Sequence, residues 1–212
     1  MHGFAIPRPG RNYWREVPNS GHAALKSFTP QLFTICMGTG ILSVLMYNNP
    51  YQFRGLQVIA VVFWLIDLVL FISICSIFVL RWIWFTKSTA RMFESEVEQT
   101  TYLSTTTMAA STIVEMISLV CGSTWKNWQY ASFAFWWATV LLALISATTT
   151  YWLLIRDEQV SIANLSPTLL YPTTGLLATA SAGSVLVSYT TLSVRLAVPV
   201  VIVSYLLLGA GQ

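Results

Sequence analysis

The sequence predicts an all-α integral membrane protein. About six transmembrane helices form three hairpins, with odd-numbered helices inside and even-numbered helices outside. Three observations predict this class. Hydrophobic residues make up 55% of the 212-residue chain and charged residues 9%, against about 25% charged in a soluble domain, so there is too little charge to cover a soluble particle of this size. Six apolar runs approach or reach spanning length without period-2 alternation, and only helices and closed barrels satisfy their backbone inside lipid. Gly, Ser and Thr supply 21 of the 58 residues in the odd runs and 9 of the 62 in the even ones. The composition excludes a disordered chain, a nucleic-acid binder and an ordinary soluble enzyme.

Residues 1–29 read as a polar cytoplasmic tail. Arg8, Arg11, Arg15 and Lys26 are interleaved with prolines there, and no apolar segment of signal-peptide length follows. The transmembrane domain then runs over 30–212. Its helices are expected near Gln31–Tyr47, Val58–Arg81, Leu103–Cys121, Tyr130–Leu154 and Thr168–Tyr189. A last apolar run, Leu196–Leu208, is short, and its helix is extended back to Leu192, which places Arg195 near the interface. Eight of the 11 Lys and Arg residues fall in the tail and in the loops after helices 2 and 4 (Arg81, Lys87, Arg91, Arg156), against Arg54, Lys126 and Arg195 on the other side. The positive-inside rule therefore places the N-terminus in the cytoplasm, and Trp82, Trp84, Trp152, Trp125 and Trp128 fall where aromatic belts are expected. Cys36, Cys75 and Cys121 lie in or beside apolar runs at no ligand spacing and read as small core residues.

Small residues let helices approach closely, and hydroxyls can line a wet cavity. The odd helices therefore point to a polar pathway or to close packing. In helix 3, Ser104, Ser111, Glu115 and Ser118 share a face at steps of 7, 4 and 3, and in helix 1 Cys36, Thr39, Gly40 and Ser43 do the same. In helix 5, Gly175, Thr179 and Gly183 form a small-residue ridge beside a polar strip of Thr174, Ser181, Ser184 and Ser188. Pro172 and Gly175 could open helix 5, and Gly38-Thr39-Gly40 could open helix 1. The freed backbone N–H groups would attract an anion. The candidate substrate pathway is thus Thr39, Gly40, Ser43, Ser104, Ser111, Glu115, Ser118, Pro172, Thr174, Gly175 and Ser181. An intramembrane carboxylate costs about 2.5–3.5 kcal/mol on insertion scales, so it must be paired, protonated or wet. Asp67 reads as a hairpin-packing residue. Glu115 reads either as a proton-coupling or gating group or as a structural hydrogen-bond partner.

Histidine occurs only at His2 and His22, in the tail, which leaves no intramembrane pair for haem, di-iron or zinc. No metal or other cofactor is expected. The glycine string of helix 1 follows no strand and is not a dinucleotide loop. No nucleophile–base set lies in a wet cleft, so the reading is not an enzyme.

The stretch from Phe28 to Phe71 resembles the start of fungal members of the tellurite-resistance/dicarboxylate transporter family, which includes malic acid permeases, sulfite efflux pumps and plant slow anion channels. The residues that carry the resemblance are Met37-Gly38-Thr39-Gly40, Ser43, Pro50-Tyr51 and Leu56. It continues through Trp136-Trp137, Leu170-Tyr171-Pro172, Ala180-Ser181-Ala182-Gly183 and Ser204-Tyr205-Leu206 with Gly209 and Gly211, covering about residues 28–212. The resemblance implies a ten-helix, five-hairpin fold with odd helices around a central anion pathway. It implies an anion transporter in the lipid bilayer of the fungal plasma membrane, with C4-dicarboxylate (malate) as the main expected substrate and sulfite as the alternative. Proton coupling is a further expectation. Two family features are replaced: Glu98-Gln99 stand at the usual His-Pro pair, and Ala138-Thr139 where an acid often follows the Trp pair. Six helices are fewer than ten, so the chain is expected to be a truncated copy or a subunit that forms a homo-oligomer. A non-transporting accessory partner of a longer homologue is the rival of a different class.

Overall fold

The computed structural model describes residues 30–84, 100–122, 126–156, 170–190 and 193–211. Expectations for the tail, for Lys87, Arg91 and Trp125, and for the start of helix 5 at Thr168 lie outside them. Among the described residues there are six α-helices and no strand. They are α1 (Phe33–Asn48), α2 (Leu56–Trp84), α3 (Leu103–Val120), α4 (Lys126–Arg156), α5 (Tyr171–Tyr189) and α6 (Val194–Ala210), with a 3-10 turn at Pro30–Leu32 leading into α1. By length and composition α1 (with its turn), α2, α3 and α4 each suffice to cross a membrane, and α6 is a shorter apolar helix. This is the all-α membrane class that the composition predicts.

The helices pair as α1/α2, α3/α4 and α5/α6. α1, α3 and α5 pack side by side as an inner row, with α3 between the other two. α2 lies on α1, α4 lies behind the seam of α3 and α5, and α6 lies on α5. The reason is visible in the sequence. Almost every residue of α3 from Ser104 to Leu119 is buried, and a helix surrounded by helices needs small residues so that backbones can approach. α2 instead exposes Val58, Val62, Leu65, Ile66, Val69 and Ile72, the bulky apolar surface that suits lipid.

Turn chemistry sets the helix ends. Asn49 Oδ1 accepts from the Tyr51 N–H at 2.9 Å, and Gln52 Nε2 donates to the Tyr47 carbonyl at 2.9 Å, which closes the end of α1. Gly55 sits at φ 104°, a left-handed turn immediately before α2 that a side chain would strain. Pro172 stands in the first turn of α5, where its missing N–H has no intrahelical partner to lose. It therefore starts α5 and does not interrupt it. Pro199 lies inside α6, which begins at Val194 with Ser193 as its N-cap; the expected start at Leu192 lies outside the described residues. α2 and α4 run past the apolar runs to Trp84 and Arg156, because amphipathic aromatic and cationic side chains continue a helix into the interface. Arg156 stacks over the Trp152 ring at 5.1 Å.

Two packing centres hold the inner row. Trp136 of α4 is wholly buried among Val140, Leu176, Ala180 and Val200. Phe33 of α1 packs edge-on to Phe71 and Phe78 of α2, with ring centroids at 5.9 and 6.0 Å. Cys36 is buried beside Phe33, and Cys75 and Cys121 are half-buried; all three are free thiols.

Candidate functional site

A half-open groove of about 520 Å³ runs along the inner row. α1 contributes Met37 and Ile41, α3 contributes Met108, Ser111, Thr112 and Glu115, and α5 contributes Tyr171, Thr174, Ala178 and Ser181. Each set follows the spacing of one helical face: i, i+4 on α1; i, i+3, i+4, i+7 on α3; and i, i+3, i+7, i+10 on α5. Four of the expected pathway residues, Ser111, Glu115, Thr174 and Ser181, therefore meet in one place.

Glu115 is the charged residue of this groove. It is 8% exposed, and its Oε1 accepts from Ser181 Oγ at 2.6 Å, which ties α3 to α5. Ser181 Oγ also lies 2.9 Å from the Ala178 carbonyl, so its one proton has two acceptors. Ser111 Oγ donates to the Thr107 carbonyl at 2.8 Å and shares a hydrogen bond with Thr179 Oγ1 at 3.3 Å. No lysine or arginine lines the groove among the described residues. Its other polar groups are hydroxyls.

The remaining expected residues lie elsewhere. Thr39 Oγ1 donates to Asp67 Oδ1 at 2.7 Å across the α1/α2 hairpin. Ser43, wholly buried, donates to the Ala60 carbonyl of α2 at 3.0 Å. A Cβ on Gly40 would collide with Thr112 Oγ1 and lie 2.9 Å from Asp67 Oδ2, so Gly40 is the notch at which α1, α2 and α3 meet. Ser104 faces Ser146 of α4 at 3.3 Å, and Ser118 is buried and donates to the Val114 carbonyl at 2.8 Å. Gly175 packs on α3, where a Cβ would stand 2.8 Å from Thr107 Oγ1. Ser184 and Ser188 line a second groove of about 490 Å³ between α5 and α6.

The expected helix breaks are corrected by the structure. α1 is continuous through Gly38-Thr39-Gly40 and α5 through Gly175. Their backbone N–H groups are used inside the helices and are not free to meet a ligand. Two features were not legible from spacing. Asp67 Oδ2 is buried without a hydrogen-bond partner, and Trp136 Nε1 donates to the Thr179 carbonyl at 3.0 Å, which fixes α5 against α4. Both depend on how helices pack, which spacing along one helix does not report. Among the described residues no group of three His, Cys, Asp or Glu could hold a metal ion.

Three stacked hairpins, with a hydroxyl-rich inner row and bulky apolar helices outside it, define an all-helical integral membrane protein. The chain belongs to the SLAC1 family: the family model described as voltage-dependent anion channel matches residues 27–212. The resemblance to the tellurite-resistance/dicarboxylate transporter family is thereby borne out. Among curated proteins, the sulfite efflux pump SSU1 of Arthroderma otae is 29% identical over 165 residues, covering 76% of this chain and 43% of the relative. The sulfite efflux pump SSU1 of Trichophyton rubrum is 27% identical over 164 residues with the same coverage, and that of Candida albicans 27% over 169 residues, 75% of this chain and 33% of the relative. The chain thus spans less than half the length of these relatives. No solved structure matches it significantly.

Proposed function

We propose that the chain lines a pathway for small oxyanions along the groove between α1, α3 and α5, and that sulfite is the substrate it favours. The observation that carries this reading is the groove itself, a half-open channel of about 520 Å³ whose polar lining is Ser111, Thr112, Thr174, Ser181 and Glu115. Hydroxyls can donate to an oxyanion, and a site without a fixed cation holds the anion weakly enough to release it. Sulfite comes before malate because the matched relatives are described as sulfite efflux pumps; malate remains the comparison substrate. Transport, not catalysis, is the reading that family membership supports. The excess of Lys and Arg in the tail and after helices 2 and 4 orients the N-terminus to the cytoplasm, and the fungal relatives suggest the plasma membrane. The groove is open on one side, so a second copy of the chain is the homo-oligomeric partner that would close it. Proton coupling would run through Glu115.

The test is flux of labelled sulfite and malate into liposomes containing the purified chain, across a pH gradient, with protein-free liposomes as the baseline. Protein-dependent sulfite flux above malate flux is expected, and Ser111→Val with Thr174→Val should lower it at least about tenfold, the effect of about 1.4 kcal/mol in the barrier. Absence of flux of either anion from inserted, folded protein would overturn the reading and favour an accessory role.

A further inference from the structure

We propose that one acyl chain of a bilayer lipid is bound in an apolar crevice between α2 and α4, over the back of α3. α2 lies on α1, and α4 lies behind the seam of α3 and α5. The gap between these two outer helices is a crevice of about 390 Å³. Its floor is the side of α3 that carries Ala110, Ile113, Val114 and Ile117, at the i, i+3, i+4, i+7 spacing of one helix face. At 3.6 residues per turn this face is centred about 160° from the face that lines the groove of α1, α3 and α5. Between Ser104 and Leu119, Ala110 alone is not buried, so the crevice is where α3 reaches the outside of the molecule. The inference concerns the side of α3 away from the proposed pathway and does not rest on the transport reading.

The lining selects the occupant. Thr139 supplies its only hydroxyl among the described residues, and that hydroxyl donates to the Trp136 carbonyl at 2.7 Å. No carboxylate, amine or amide side chain lines the crevice among the described residues, so a polar ligand or a row of waters would find no partners there. Ile72 and Phe135 on its two rims are each 56% exposed, the bulky apolar surface that meets lipid tails. A further helix is too large. One helical turn with its side chains fills about 400–600 Å³, from a diameter of about 10–12 Å and a pitch of about 5.4 Å. The crevice offers about 390 Å³ along some three turns of α4. Left empty, it would cost its walls their van der Waals contacts, and a single hydrocarbon chain restores them.

Length and position set the direction of the chain. Trp128 and Thr139 mark the two ends of the crevice on α4. The eleven steps between them rise about 16 Å, close to half of the hydrocarbon core of about 30 Å and so the depth of one leaflet. Trp128 stands in the first turn of α4, beside the end of α3, and is 40% exposed, as a tryptophan at the headgroup boundary is. At the other end, Ile72 and Ala110 lie near the middles of α2 and α3. The acyl chain therefore enters beside Trp128 and ends near the bilayer midplane beside Ala110, with Ile117 nearer its headgroup than Ile113.

The experiment uses the full chain in phosphatidylcholine vesicles with a trace of phosphatidylcholine carrying a photoactivatable diazirine on one acyl chain. The diazirine sits near the carboxyl end of that chain in one preparation and near its methyl end in another. Adducts are mapped by mass spectrometry after irradiation. Exposure alone would label Ile113 and Ile117, 8% and 6% exposed, roughly tenfold less than Val69, which is 63% exposed on the outer side of α2. A bound chain should instead label them at least as strongly as Val69, summed over the two probes. The adducts should concentrate on Ile117 with the carboxyl-end probe and on Ala110 and Ile113 with the methyl-end probe. Ile113→Phe puts a ring into the crevice and should cut labelling of Ile117 at least about fivefold with Val69 unchanged, because a filled interior leaves no room for the chain. Wild-type labelling of α3 in proportion to its exposure, which is the outcome if protein covers the crevice, would overturn the inference. So would the same adduct pattern from both probes, or a folded Ile113→Phe protein that labels as the wild type does. The two wild-type maps decide between these outcomes even where the variant does not fold.

Discussion

The two glycines of the Gly38-Thr39-Gly40 string should respond oppositely to one added methyl group. A Cβ at Gly38 meets nothing within 4 Å, whereas a Cβ at Gly40 would collide with Thr112 Oγ1 and lie 2.9 Å from both Thr112 Cβ and Asp67 Oδ2. Ordinary carbon contacts lie at about 3.5–4.0 Å, so relief needs a movement of the order of 1 Å. Rotating Thr112 does not provide it, because its Cβ is also too close. Asp67 cannot swing away freely, because its Oδ1 accepts from Thr39 at 2.7 Å. α1 must therefore part from α3, and overpacking of this kind costs about 1–3 kcal/mol. For a chain of this length about 2 kcal/mol corresponds to a fall of about 4–8 °C in the unfolding midpoint. Gly38→Ala should leave the midpoint unchanged or raise it, since alanine is the better helix former by about 0.8–1.0 kcal/mol. The assay is thermal unfolding in detergent followed by a thiol-reactive fluorophore, because Cys36 is buried and Cys75 and Cys121 are half-buried. Combining Gly40→Ala with Thr112→Ala removes the nearest colliding atom and should restore about half the loss, a coupling within the range of about 0.5–3 kcal/mol seen for touching residues. Equal losses in Gly38→Ala and Gly40→Ala, or no recovery in the double variant, would refute the notch.

The other expectations use the same assay. Thr39→Val leaves Asp67, already with one unpartnered oxygen, without its Thr39 bond and should cost about 1–3 kcal/mol; adding Asp67→Leu should recover most of it. Thr39 belongs to the substrate pathway expected from the sequence, where its loss should lower flux, and the structure adds this loss of stability. Gly183→Ala places a Cβ 2.7 Å from Trp136 Cζ2 and should destabilise by about 1–3 kcal/mol, whereas Gly209→Ala, with nothing within 4 Å, should be neutral. Trp136→Phe keeps most of the ring volume but leaves the Thr179 carbonyl without its 3.0 Å donor, and should lower stability by about 0.5–1.5 kcal/mol.

Much of the fold was legible because the bilayer imposes it. Apolar run length marks α1 to α4, and the contrast between Gly/Ser/Thr-rich and bulky runs separates inner helices from outer ones. The ends were less legible. Hydropathy stops at Arg81 and Leu154, but α2 continues to Trp84 and α4 to Arg156, since interfacial side chains do not end a helix. The site was legible in part. The spacing of Ser111, Glu115 and Ser118 gives one side of α3, but α3 has neighbours all around it. Ser111 and Glu115 reach the groove, while Ser118 is buried away from it. Spacing identifies a helix face and not the neighbour that covers it. Asp67 shows the same limit, because its partner Thr39 lies 28 residues earlier and only hairpin geometry brings them together.

The hydroxyls of the inner helices have two uses, and hydrogen bonding separates them. Thr107, Ser111, Thr112, Ser118, Thr179 and Ser184 all donate to a carbonyl three or four residues earlier. Such back-bonding satisfies a small polar side chain without a neighbour and lets α3 be both hydroxyl-rich and buried. A high serine and threonine content therefore reports close helix packing before it reports a pathway. Ser181 differs, because its hydroxyl has the Ala178 carbonyl at 2.9 Å and the Glu115 carboxylate at 2.6 Å within reach. It can turn from one acceptor to the other, or to an anion in the groove, without either helix moving. That choice, next to a carboxylate, sets Ser181 apart from the back-bonded hydroxyls around it, and under the proposed transport reading it is the hydroxyl that can turn towards an ion without giving up its helix.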